Sequence, residues 1–123
     1  MPTNITIAEA AERCGLSAHT LRYYERIGLI HPVGRGQNGH RRYGRDDIEW
    51  LEFLTKLRTT DMPIRQMVEY AGLVREGPHT ASRRRAMLEA HREALRERIA
   101  ELEETAGVID RKIETYTEME SNT

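Results

Sequence analysis

A chain of 123 residues with 38% hydrophobic content can bury one compact domain and carry an extended element, but hardly two ordinary domains. No run is apolar enough to span a membrane, the N-terminus lacks a signal-peptide layout, and a single cysteine excludes an intrachain disulfide, so a reducing, cytoplasmic setting is expected. The net charge of −1 argues by itself against a nucleic-acid partner, yet its distribution reverses that reading. Between Leu16 and Arg45 six arginines (Arg22, Arg26, Arg35, Arg41, Arg42, Arg45) face one acid, Glu25, whereas from His79 onward eight basic residues face ten acidic ones.

Thr6-Ile7-Ala8-Glu9 is a capping box and predicts a helix from Ile7, with Ile7, Ala8, Ala11 and Cys14 at helical spacing and Gly15 placed to end it. Ser17 then caps a second helix, with Leu16 and Leu21 as a hydrophobic staple, Leu21, Tyr24 and Ile27 along its inner side, and Gly28 as its stop. Such a pair is a helix-turn-helix, whose second helix can enter a major groove, and His19, Thr20, Arg22 and Tyr23 are the residues it would present. After Pro32 the stretch from Val33 to Tyr43, with Gly34, Gly36 and Gly39, suits a β-hairpin or wing. In its second strand Arg41 and Tyr43 share one face and His40 and Arg42 the other, so that a basic face can lie along a phosphate backbone.

Ile48, Leu51, Leu54 and Leu57 recur every three residues, flanked by Trp50, Phe53 and Arg58, and mark a helix that supports the second one. Asp61-Met62-Pro63 breaks it, and Pro63 suits the first position of a further helix carrying Ile64, Met67, Val68 and Ala71 on one face, the methionines as gap fillers. Gly77-Pro78 reads as a hinge between a head, 1–77, and an arm, 78–123. In the arm Leu88, Leu95, Leu102, Ile109 and Tyr116 recur every seven residues, and Ile99, Ala106 and Ile113 form a second seam four residues after a member of the first. Continued backwards, that seam meets Arg92 and Arg85, so pairing is expected to fade or to change partner toward the hinge. A lone helix would expose this stripe, so the pattern requires a partner.

LRYYERIGLI (21–30), GHRRY (39–43) and Asp47 ahead of an aliphatic helix strongly resemble the head of the MerR family of bacterial transcription regulators, with His40 where the family usually has an aromatic residue. The resemblance implies a mainly α fold. It comprises a winged helix-turn-helix head with a small β-hairpin wing, two further helices, and a long C-terminal dimerisation helix forming an antiparallel coiled coil. It also implies a homodimer that binds double-stranded DNA at a pseudo-palindromic promoter spacer and bends and under-twists it so that RNA polymerase engages both promoter elements, and hence a nucleoid-associated protein. By resemblance Arg58 projects onto phosphate from a second wing. Arg22 and Arg41 are further phosphate partners, Arg42 and Tyr43 complete the wing, and His19, Thr20 and Tyr23 are candidates for base or methyl contacts. Tyr24 fits either a phosphate contact or a partly buried role. The chain is expected to be a short member without a large effector domain, and it lacks the cysteine that aldehyde-responsive short relatives carry near the position of Lys56.

Cys14, on the apolar side of the first helix, reads as a small buried hydrophobe rather than a reactive thiol. The five histidines show no ligand spacing, so no metal and no cofactor is assigned, and nothing places a base or second thiol beside Cys14 as an enzyme would need. Two alternatives stand beside the regulator: a protein–protein adaptor whose coiled coil pairs with a different chain, and a thiol-based redox sensor acting through Cys14.

Overall fold

In a computed structural model, which describes residues 5–30 and 42–122, the chain enters the fold through two residues of strand, Ile5–Thr6 (β1), and turns directly into a helix, Ile7–Cys14 (α1). The turn is made by the capping box. Thr6 Oγ1 accepts the Glu9 N–H at 3.2 Å, and Glu9 Oε1 accepts the Thr6 N–H at 3.2 Å. The second helix, Ala18–Arg26 (α2), starts at Ser17, whose hydroxyl oxygen accepts the Thr20 N–H at 3.0 Å. A second strand, Arg42–Tyr43 (β2), pairs antiparallel with β1 in the register Ile5 to Tyr43 and Thr6 to Arg42.

Arg45–Thr59 (α3) follows. It begins where the Asp47 carboxylate accepts the Gly44 N–H at 2.9 Å, and it buries Ile48, Leu51, Leu54 and Leu57, the stripe expected from their spacing. Ile64–Glu76 (α4) comes next, with Pro63 as the residue before the helix rather than its first. Its buried residues are Met67, Tyr70, Ala71 and Leu73, while Ile64 is exposed and Val68 half-buried, so its packing face is rotated from the expected one. The cause is aromatic: Tyr70 stacks on Trp50 with centroids 5.9 Å apart and planes 12° apart, and Phe53 lies 5.9 Å from the same ring. α1 packs against α2 and α3, and α3 against α4, around a core whose fully buried large side chains include Tyr43, Leu21, Leu29, Leu51, Leu54 and Met67.

Three of these helices stop the same way. A residue in the left-handed region (Gly15 φ 70°, Gly28 φ 86°, Asp61 φ 70°) lets the next N–H reach back five residues: Leu16 to Ala11 O at 2.8 Å, Leu29 to Tyr24 O at 2.9 Å, Met62 to Leu57 O at 2.9 Å. Each stop therefore turns an apolar residue inward, burying Leu29 completely and Met62 nearly so.

Past Gly77 a 3-10 turn, Pro78–Thr80, leads into the last helix, Ala81–Ser121 (α5). The Thr80 hydroxyl, buried, lies 2.6 Å from the Leu73 carbonyl oxygen and 2.8 Å from that of Gly77, and accepts from Arg84 Nε at 3.1 Å. This knot ties the first turn of α5 to the end of α4. It explains why the compact head reaches beyond Gly77: the chain divides into units Met1–Arg85 and Ala86–Thr123.

α5 has 41 residues, about 61 Å at a 1.5 Å rise, and none of them is buried. Ile99, Leu102, Ile109, Ile113 and Tyr116 are all exposed, as is Ala106, while Leu88 and Leu95 are half-buried. The helix is also polarised. Residues 81–98 carry six arginines against three glutamates, and residues 101–121 carry seven acids against two bases. No helix among the described residues is long and apolar enough to cross a membrane.

Candidate nucleic-acid interface

On α2 the inward residues are Leu21 and Tyr24, with 0% and 2% of their surface exposed. His19, Arg22, Tyr23 and Arg26 fall at i, i+3, i+4 and i+7 on the opposite side, and all four are exposed. They form one continuous basic and aromatic stripe. The Arg26 guanidinium carbon sits 5.8 Å from the centre of the Tyr23 ring, a cation–π contact along the stripe. Thr20 is half-buried beside it, and its side-chain oxygen accepts the Ser17 hydroxyl at 2.9 Å, so this residue closes the helix start as well as bordering the stripe. No acidic side chain occupies the first turn of α2, so no carboxylate of that turn offsets the positive end of its dipole.

Two long-range bonds fix the end of this helix. Trp50 Nε1 donates to the Leu29 carbonyl at 2.8 Å from α3, and Arg75 donates to the Gly28 carbonyl at 2.7 Å from α4. α2 is therefore clamped at its C-terminal turn by the two helices that follow it. Sequence reasoning missed both bonds, and it missed Arg26. The signal for Arg26 was present in its helical spacing from His19 and Tyr23.

The remaining expected residues fall differently. Tyr43 is fully buried, because pairing of β2 with β1 turns its ring into the core, so its place in the expected contact set is corrected to that of a packing residue. Tyr24 likewise takes the buried one of its two readings, and its hydroxyl has no hydrogen-bond partner among the described residues. Arg58 is exposed in the last turn of α3. Arg41 and the expected wing from Val33 onward lie outside the described residues apart from the backbone of Arg42 and Tyr43; the Arg42 side chain lies outside them too.

Cys14 is buried, and burial first, then the charge of Glu52, pushes its thiol pKa up while Arg13 pulls it down. A thiol held in its neutral form is a poor nucleophile, which tells against the redox-sensor alternative. Beside it Arg13, Arg45, Ile48, Glu49 and Glu52 line an open, mostly polar groove.

A helix-turn-helix with a braced second helix and an outward basic and aromatic stripe defines the DNA-binding head of a transcription regulator. Residues 6–43 match the model for the MerR family regulatory protein, and residues 48–112 the one for the MerR DNA-binding region. The chain belongs to the MerR family. It is 43% identical over 91 residues to the HTH-type transcriptional regulator AdhR of Bacillus subtilis, a match that covers 74% of this chain and 65% of AdhR. An HTH-type transcriptional regulator of Haemophilus influenzae is 34% identical over 111 residues, covering 90% of this chain and 82% of the relative. Among solved structures, HiNmlR, a MerR family regulator lacking the sensor domain and bound to promoter DNA, superposes with a TM-score of 0.84 at 32% identity, over 97% of this chain and 94% of that one. A MerR family regulator from Listeria monocytogenes superposes with a TM-score of 0.83 at 40% identity, over 91% and 85% of the two chains.

Proposed function

We propose that this chain acts as a homodimer that binds a pseudo-palindromic promoter spacer and distorts it, so that RNA polymerase, its partner at the promoter, can engage both promoter elements. The observation that carries the reading is the stripe His19, Arg22, Tyr23 and Arg26 on a helix braced from two sides. Arg22, Arg26 and Arg58 are the phosphate partners, and His19, Thr20 and Tyr23 face base edges. Arg41 and Arg42 extend the cationic surface through the wing. The relative HiNmlR is bound to promoter DNA in its crystal structure, which supports the same class of ligand here. Contacts to phosphate offset the deformation of the duplex, which costs about 1 to 6 kcal/mol for bends of 40 to 90°.

The dimer is supported by α5. Its exposed heptad stripe needs a partner, and its charge opposes the helix dipole at both ends, basic where the dipole is positive and acidic where it is negative. A second copy lying antiparallel places each basic half along the other's acidic half and relieves both conflicts. Leu88, Leu95, Ile99, Leu102, Ala106, Ile109, Ile113 and Tyr116 form the seam. Such a protein works in the cytoplasm, associated with the nucleoid.

The test is a titration of a duplex selected by the full chain from a random-sequence pool. Affinity is expected to fall steeply with salt, and Arg22→Ala in both copies to reduce the slope of log K against log salt by about 1.8, at 0.9 per phosphate released. Salt-independent binding, or an Arg22→Ala slope equal to that of the parent, overturns the reading.

A further inference from the structure

The last turn of α4 reaches across the head to the end of the recognition helix through one side chain. Arg75 Nη1 donates to the Gly28 carbonyl oxygen at 2.7 Å, over 47 residues of intervening chain. Its other terminal nitrogen lies where neither neighbour has a side chain: a Cβ at Gly28 would stand 3.6 Å from it and one at Gly72 3.9 Å. The guanidinium thus lies beside both glycines and makes a short, charge-assisted bond to the turn that ends α2. Gly28 is at the same time the left-handed residue of that turn, with φ 86°, and the next carbonyl, that of Leu29, accepts from Trp50 at 2.8 Å. Two consecutive peptide groups at the end of α2 are therefore held by α4 and α3 in turn.

We infer that Arg75 is a positioning residue for DNA recognition: it fixes α2, with its stripe, relative to the α3–α4 pair that carries Arg58, so that both sets of contacts meet the duplex at once. This rests on the reading given under Proposed function, in which α2 and Arg58 both touch DNA. The two contact sets sit on different elements, and beside the burial of Leu29 and Ile30 these two bonds are polar ties that join the end of α2 to α3 and α4 among the described residues. With the guanidinium in place, closing the second contact after the first carries little ordering cost; without it, that cost falls on binding.

The experiment is a double-substitution cycle on the full chain with the selected duplex described above. Arg75→Met, which keeps the length of the side chain and loses the donor, is expected to weaken binding by about three- to tenfold where Arg58 is present, and by less than about twofold in the Arg58→Ala background. Arg75→Lys, which keeps a donor and the charge, is expected to recover most of the loss. A merely structural role lowers the folded fraction by the same factor in both backgrounds, so equal losses with and without Arg58 overturn the inference while leaving the proposed function intact. If Arg58→Ala alone has no effect, the assignment of Arg58 to phosphate fails and this inference with it, while binding through the α2 stripe stands. Should Arg75→Met prove too unstable to titrate, Arg75→Gln carries the same comparison with the same criterion.

Discussion

Replacing Leu102 and Ile109 together by alanine tests the arm directly. Both stand 54% exposed on α5 in the single chain, so roughly half of each side chain's burial is available to a partner. Complete burial of such a side chain is worth about 1.5 to 3 kcal/mol, hence about 0.8 to 1.6 kcal/mol for the available half. Two residues in each of two copies bring the loss to about 3 to 6 kcal/mol, or roughly two to four orders of magnitude in the dimer dissociation constant at 1.4 kcal/mol per decade. Alanine keeps the helix propensity high, so the loss is confined to association. Sedimentation equilibrium over a dilution series reads the constant, with far-ultraviolet circular dichroism recorded at each concentration. A dissociation constant within threefold of the parent's would refute the reasoning, since it would mean that the stripe faces solvent in the assembled protein.

Trp50→Phe keeps a ring against Tyr70 but withdraws the donor from the Leu29 carbonyl; a loss of about 1 kcal/mol lowers the melting temperature by about 4 to 8 °C, and an unchanged melting curve would deny that bond its role. Asp61→Gly relieves the left-handed conformation at the end of α3 and, after glycine's added chain entropy, is expected to raise stability by about 0.5 to 1 kcal/mol in a denaturant titration; a lower midpoint would show that the aspartate side chain contributes more than its backbone costs. For Cys14 the folded-state pKa is raised above the ordinary value of 9.0, so below that pH both states hold the proton and stability is intact, whereas above it the unfolded chain releases its proton first and unfolding is favoured. Cys14→Ala is therefore expected to flatten the alkaline fall of stability, and the parent thiol to react slowly with a disulfide reagent at neutral pH while the chain is folded; rapid labelling of the native protein would contradict the burial.

What the sequence disclosed is what is decided within a turn or two of helix. Thr6 and Glu9, Ser17 and Thr20, and the triplet spacing from Ile48 to Leu57 each encode their own outcome, and each is found in the structure. The LRYYERIGLI run added what no periodicity contains, namely the class of ligand. The remainder depends on partners far away in the chain. β1 is two residues long and has no period of its own; it exists because Arg42 and Tyr43 lie opposite it, and the same pairing buries Tyr43. The face of α4 follows from the stacking of Tyr70 on Trp50, which outweighs the claim of Ile64 to the core. The bonds from Trp50 and Arg75 to the end of α2 span 21 and 47 residues, and both end on backbone carbonyls, which every residue possesses and which no motif can mark.

An arm of 41 residues that buries none of them on its own account has consequences for how the protein is regulated by amount. If two copies pair through α5 as proposed, the population able to grip both halves of an operator grows, below the dimer constant, with the square of the number of chains, and a modest rise in synthesis becomes a steep rise in promoter occupancy.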